Sequence, residues 1–219
     1  MSKFADGPVT VRPAVVADVP AIASIFGRAF DEYRHGLGIS EEALASLWEP
    51  SLGARVASTL VAELPGGEIG GFLVLVLPGQ KEEYGGREAG GRRSRIMMDV
   101  LGWRGLWRLP ALFLPMGLAY AIRGARTGEM YISLLAVDPG LQRKGLGQQL
   151  LAAADGVGRK AGAVAILLHT ASTNTRARTA YTRAGYELVS TVWAPWRGPA
   201  NIPAFVALRK PLAATVPHA

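Results

Sequence analysis

The 219-residue chain contains no cysteine, which excludes disulfides, thiolate metal sites and a cysteine nucleophile together. Histidine is nearly absent as well. His35, His169 and His218 are scattered, so no metal centre is expected. No apolar run reaches the ~20 residues that a bilayer-spanning helix needs. The longest, Leu109–Ile122, is shorter and is interrupted by Pro110 and Pro115. The opening stretch Met1-Ser-Lys-Phe-Ala-Asp-Gly-Pro8 has no apolar signal core, so a cytoplasmic location is expected. Acidic residues are the minority, 17 against 24 Lys and Arg, and the resulting charge of +7 favours an anionic partner. An apolar fraction of 49% with 19% charged residues describes a folded domain with a proper core rather than a disordered chain.

What is present is organised around Ile132–Leu151. Ile132-Ser-Leu-Leu-Ala-Val137 reads as a buried strand, and Asp138-Pro-Gly140 ends it in a turn. Gln142-Arg-Lys-Gly-Leu-Gly147 follows, and then a helix opening at Gln148-Gln-Leu-Leu151. A strand, a glycine-bearing loop and a helix N-terminus make an anion site, because first-turn N–H groups lack intrahelical partners and the helix dipole favours negative charge. Arg143 and Lys144 add positive side chains. Two phosphate motifs fail here. Leu146 stands where a P-loop needs its lysine, and Leu150 where a dinucleotide fingerprint needs its third glycine.

The remaining elements follow from periodicity and punctuation. Val9–Pro13 alternates as a short strand; Asp18 and Pro20 open a helix whose apolar residues run from Ile22 to Phe30. Ser40-Glu-Glu starts a second helix expected to end at Pro50. Arg55–Glu63 and Gly70–Leu77 are expected to form a hairpin across Pro65-Gly-Gly67. Residues 79–128 form an insertion, with a glycine-punctuated basic loop from Gly79 to Gly91 and then an apolar helical segment. From Gln80 to Gly128 nine basic and four acidic residues give it most of the net charge. Ala163–Thr170 is a second buried strand, parallel to Ile132–Val137 through the intervening helix. A helix over Asn174–Arg183 ends at Gly185, and Tyr186–Trp193 and Ile202–Leu208 are the last strands. Residues 211–219 are expected to be a disordered tail, and the whole of 1–219 a single α/β domain.

Gln142, Gly145 and Gly147 fit Gln/Arg-x-x-Gly-x-Gly after a strand ending Val-Asp-Pro. Asn174, Ala177, Tyr181, Gly185 and Tyr186 fit Asn-x-x-Ala-x-x-x-Tyr-x-x-x-Gly-Phe/Tyr one strand later. This ordered pair resembles the GNAT superfamily of acetyl-CoA-dependent N-acetyltransferases, and Val11-Arg-Pro-Ala14 with Asp18 resembles its usual opening. The insertion before Glu129 resembles members related to antibiotic N-acetyltransferases.

The resemblance implies a mixed, mostly antiparallel sheet with a central splayed parallel strand pair, helices on both faces and a helical insertion before the core strand. It implies that the pantetheine arm of acetyl-CoA pairs with Leu135, Ala136 and Val137. It places the pyrophosphate on Gln142, Arg143, Lys144, Gly145, Leu146, Gly147 and Gln148, and adds Asn174, Ala177 and Tyr181 to the cofactor contacts. Tyr181 is the candidate general acid and Glu129 the candidate base, for direct attack of an amine on the thioester in a ternary complex. An alkyl amine with a pKa of ~10.4 is mostly protonated at pH 7, so a base or water relay is needed. His169, in an apolar strand, reads as a core histidine, while Tyr131, Trp193 and Trp196 are open between acceptor pocket and packing.

The expected acceptor is a primary amine of a small molecule, with the insert as a lid carrying Trp103 and Trp107. Two alternatives stay open: a protein or peptide acceptor, and a CoA-binding module whose basic apolar insert docks on a membrane surface or partner. The insert as a homodimer contact is also open. Nucleic acid is not expected, because the arginines lie among glycines and bulky apolar residues.

Overall fold

Phe72-Leu-Val-Leu75 is buried on both sides, Leu73 and Leu75 toward one face and Phe72 and Val74 toward the other, and this places its strand in the middle of a sheet. The computed structural model describes residues 7–80, 87–106, 108–194 and 201–212. In chain order the elements are β1 (Thr10–Pro13), α1 (Val19–Ala29), α2 (Asp31–Leu37), α3 (Glu41–Ala54), β2 (Thr59–Glu63), β3 (Ile69–Val76), α4 (Arg87–Gly105, kinked at Gly102), α5 (Arg108–Arg123), β4 (Glu129–Val137), α6 (Leu146–Lys160), β5 (Ala165–Ala171), α7 (Thr175–Arg183), β6 (Glu187–Trp193) and β7 (Ala204–Pro211). The seven strands run β1-β2-β3-β4-β5-β7-β6, and β4–β5 is the parallel pair in an otherwise antiparallel sheet. This is the expected mixed α/β layout, and the insertion is helical, but α4 already begins at Arg87, inside the stretch from Gly79 to Gly91 expected to be a loop.

Each face of the sheet has its own core. Leu146, Leu150, Leu151 and Ala154 of α6 and Tyr181 of α7 pack on Leu73, Ile132, Ile166 and Leu168. On the other face Ile22, Phe26, Leu44, Leu47 and Trp48 from α1 and α3 cover Val61, Phe72 and Val74, with Ile96, Met97 and Leu101 of α4 packed behind them. Ala119 of α5 meets Ala171 and Phe205 further along that second face.

Local differences from expectation have physical causes. Helix α3 continues past Pro50 to Ala54 because Ser51 and Leu52 bury against the core beyond it, outweighing the roughly 3 kcal/mol that an interior proline costs. Strand β2 therefore starts at Thr59 rather than Arg55. The short helix α2 is additional, and it closes at Gly38 with φ 71. Asp18 precedes α1 without capping it; its carboxylate instead accepts from Arg12 Nη1 at 2.7 Å and from the Val15 amide at 2.8 Å. Strand β7 runs through Pro211 and Leu212 is buried, so the expected disorder does not begin at 211; the rest of that expected tail, 213–219, lies outside the described residues.

Glu129 requires the largest correction. It lies at the start of β4, only 5% exposed, and accepts from Arg209 Nε of β7 at 2.7 Å and from the Arg126 amide at 2.9 Å. Arg123, the last residue of α5, approaches it at 3.4 Å. These donors hold its pKa down at about 2 despite burial. A carboxylate so satisfied is a poor proton acceptor at neutral pH, so the structure gives Glu129 a fastening role, tying the end of the insertion to the sheet.

Two outcomes are expected. Because the folded carboxyl titrates below its unfolded value, its contribution to stability is complete above about pH 4.5 and is lost as pH falls towards 2. At ~1.4 kcal/mol per pH unit this is worth about 3 kcal/mol; Glu129→Gln should lose most of it at pH 7, and urea titrations at pH 7 and pH 3 should show the difference between wild type and variant shrinking in acid. Separately, a Cβ on Gly27 would lie 2.4 Å from the Glu41 carbonyl oxygen where α1 meets α3, whereas one on Gly156 in α6 meets nothing within 4 Å. Gly27→Ala should cost about 1–3 kcal/mol, and Gly156→Ala should stabilise by up to ~1 kcal/mol, both read by urea denaturation.

Candidate active site

Strands β4 and β5 pair from Glu129↔Ala165 to Ile132↔Leu168 and then part. On its other side β4 stays paired with β3 up to Val137, but with a register shift: Val74 faces Leu134 while Leu75 faces Ile132, leaving Ser133 as an extra residue. A bulge of this kind bends a strand and increases its twist, and here it coincides with the point of separation. Past it, the edge of β4 from Ser133 to Val137 has no strand beside it towards β5. A cavity of about 590 Å³ occupies the opening.

One end of the cavity is made largely of backbone. Asp138 accepts from the Gly140 amide at 2.8 Å and binds Arg28 Nη2 of α1 at 2.6 Å, which fixes the turn after β4. Gly145, with φ 86, stands immediately before α6 in a left-handed conformation that a side chain would strain. The first-turn amides of Leu146, Gly147 and Gln148 then present themselves to the cavity, as unpartnered helix N-termini do. Gln148 Nε2 donates to the Ala180 carbonyl at 2.8 Å, binding α6 to α7. Arg143, Arg176 and Arg183 supply positive charge along this wall. Unpaired strand edge, free amides and guanidinium groups together suit an extended amide chain ending in phosphates.

Most of the expected donor-binding residues come together here. Leu135, Ala136, Val137, Gln142, Arg143, Gly145, Leu146, Gly147, Gln148, Asn174, Ala177 and Tyr181 all line the cavity. Leu146 turns its side chain into the core at 3% exposure and so offers only its backbone. Asn174 uses its Oδ1 to cap α7, accepting from the Ala177 amide at 3.1 Å, which leaves its side-chain NH₂ for any ligand. Lys144 and Glu129 are not among the lining residues. Tyr181 is buried, its ring 6.0 Å from that of Tyr186, and burial pushes its pKa up to about 12, so the phenol keeps its proton throughout the neutral range.

The other end is built from side chains that spacing did not bring together. Phe30, Glu32 and Tyr33 come from the α1–α2 junction, Tyr131 from β4, His169 from β5 and Phe205 from β7. Tyr131 thus does line the cavity, whereas Trp193 is 71% exposed on the surface and Trp196 lies outside the described residues. His169 is more than packing. Its Nδ1 lies 3.2 Å from the Tyr131 hydroxyl, its buried Nε2 has no hydrogen-bond partner, and burial lowers its pKa to about 4, so the ring is neutral at physiological pH. Trp103, expected to face a substrate, is 73% exposed and not among the lining residues, and Trp107 lies outside those described. Among the described residues no group of His, Asp and Glu is placed to hold a metal ion, and no helix is long and apolar enough to cross a membrane.

Comparison with known proteins agrees with this geometry. Residues 95–186, which carry both glycine-bearing motifs and β4 and β5, match the acetyltransferase (GNAT) family model. No curated protein matches the sequence. Among solved structures, one described as histone acetyltransferase HPA2 and related acetyltransferase, from Corynebacterium glutamicum, is similar with a TM-score of 0.61 at 23% identity, over 96% of this chain and 100% of that one. The ribosomal-protein-S18-alanine N-acetyltransferase of Escherichia coli gives 0.56 at 17% identity, over 97% and 99%. A GCN5-related N-acetyltransferase from Kribbella flavida gives 0.55 at 19% identity, over 93% and 98%. At these identities the likeness is one of fold. The family model is thus matched across both halves of the parted-strand site, from residue 95 to 186, and the fold of known acetyltransferases is shared over nearly the whole length of the chain.

Proposed function

We propose that the protein transfers the acetyl group of acetyl-CoA to a primary amine of a small molecule by direct attack in a ternary complex. The observation that carries this reading is the single cavity in which the unpaired edge of β4, the free amides at the start of α6 and the Tyr181 side chain converge. Acetyl-CoA offers a matching ligand: amides in the pantetheine arm to extend the edge of β4, as a peptide adds to a sheet, and a pyrophosphate for the α6 amides and Arg143.

The chemistry then needs few groups. The amine nitrogen forms its bond to the thioester carbon, the carbon–sulfur bond breaks, and the nitrogen gives up a proton through water or a neutral group of the cavity. Tyr181, held protonated, donates a hydrogen bond towards the departing sulfur and stabilises its charge. With no cysteine in the chain, an acyl-thiol intermediate on the protein has no residue to form on.

The small-molecule preference rests on α5. Its first residue, Arg108, donates to the Leu37 carbonyl of α2 at 3.0 Å, while Ala119 packs on Phe205 of β7, so the helix bridges the two sides of the side-chain end of the cavity. A protein acceptor in extended conformation needs an open trench there. The E. coli neighbour acts on a protein alanine; for this chain the bridged cavity favours a compact acceptor. A second reading, contact of the insert with a membrane surface, is favoured by its outward apolar residues, Trp103, Leu114 and Ile122 being 73%, 54% and 60% exposed. Co-sedimentation with anionic vesicles, compared with neutral ones, would separate it from a lid alone.

Calorimetric titration with acetyl-CoA should give saturable binding; its absence at roughly 300 µM ligand would remove the reading. Gly145→Ala should weaken that binding, because φ 86 disfavours a side chain. Tyr181→Phe should lower kcat by about 10²-fold with acetyl-CoA affinity nearly unaltered, measured by release of free thiol; an undiminished kcat would take Tyr181 out of the reaction.

A further inference from the structure

The cavity has opposite electrical characters at its two ends. Arg143, Arg176 and Arg183 lie along the wall near α6 and α7, and Glu32 is the one carboxylate among the described lining residues. The neighbouring acids are otherwise engaged: Asp31 and Glu41 pair with Arg34, Asp138 with Arg28, and Glu129 with Arg209 and Arg123. Among the described residues no side chain bonds or pairs with Glu32, and its own backbone amide is the one group that favours its ionised form. Burial and the nearby Asp31 raise its pKa, the mark of a carboxylate short of both water and counter-ion.

A half-buried charge without a partner is costly, and among the described residues no cation acts on Glu32 to relieve it. His169, which lines the same cavity, is neutral, and Tyr131 and Tyr33 are phenols. The walls are aromatic and fixed. Phe30 stacks on Phe26 at 4.3 Å, Tyr33 stacks on Phe30 at 5.4 Å, and Trp48 stacks on Phe26 at 5.2 Å, so Glu32 is carried on a rigid junction. Aromatic faces around a carboxylate accommodate an apolar body and attract a cationic head.

We propose that Glu32, with Phe30, Tyr33 and Tyr131, forms the acceptor subsite and selects a cationic amine attached to an apolar or aromatic body. The placement of an acceptor there rests on the acetyl-transfer reading above. The recognition itself rests on the unpaired carboxylate. Glu32 is a specificity-determining residue in this role: it discriminates the ammonium head from neutral or anionic groups of the same shape.

The test compares three probes of one shape, phenethylamine, phenethyl alcohol and hydrocinnamate, titrated calorimetrically at pH 7 into the full chain with and without CoA. Wild type should bind the amine roughly tenfold to a hundredfold more tightly than the alcohol, the range of a charge-assisted hydrogen bond. Glu32→Gln should bring amine and alcohol within about twofold, and Glu32→Lys should turn the preference towards hydrocinnamate. A wild type that binds the amine no better than the alcohol, or a Glu32→Gln variant that keeps the preference, overturns the inference. Acetyl-CoA titrated into the same samples tells the two failures apart. Unchanged acetyl-CoA affinity with no amine preference removes the Glu32 subsite alone, whereas an amine preference without acetyl-CoA binding leaves the subsite and removes the transferase reading.

Discussion

Everything distinctive in this structure depends on one extra residue in β4. Ser133 has no counterpart on β3, and the strand bends there, directly after its last pairing with β5. The bulge coincides with the point where the two parallel strands part. Keeping the edge from Leu134 to Val137 open towards β5 forgoes several ladder bonds at ~1 kcal/mol each. The strand tolerates this because its other edge is still held by β3 and because Ala136 and Phe72 bury beneath α1 and α3. Asp138, bonded to Arg28, then stops the free end from swinging. The site is therefore a gap maintained by the packing around it.

That origin explains what could be read from the chain and what could not. A donor site made of backbone leaves a strong imprint on sequence, because only certain residues permit the backbone geometry. Gly145 must accept a positive φ, and Asn174 must cap a helix that turns Tyr181 towards the gap. Those demands fall at fixed spacings within Gln142–Gly147 and Asn174–Tyr186, and periodicity and turn residues likewise mark the order of the strands along the chain. Helix α2 was not legible, since seven residues with Gly36 among them carry too little periodic signal. Pro50 misled in the opposite direction, because the burial that carries α3 past it is a tertiary effect.

Glu129 shows the same limit at the level of chemistry. An acidic residue at the entrance of the core strand is compatible with a base, a surface charge or an ion pair, and nothing nearby in sequence distinguishes them. The deciding partner, Arg209, is 80 residues away on β7. His169 erred the other way. Its apolar strand suggested a core residue, yet β5 leaves β4 one position earlier, so the same side chain borders the cavity with one ring nitrogen unpartnered.

The two ends of the cavity thus obey different rules. Amides at a helix start and a strand edge are the same groups whatever side chains surround them, so an end of the cavity built from them suits one ligand chemistry across many sequences. The opposite end is assembled from side chains at 30, 32, 33, 131, 169 and 205, which meet only because the α1–α2 junction, β4, β5 and β7 are brought together, with Ala119 of α5 packed on Phe205 behind them. The insertion is held to the sheet through Arg123 and Glu129 and to α2 through Arg108, so its position is tied to both sides of that end.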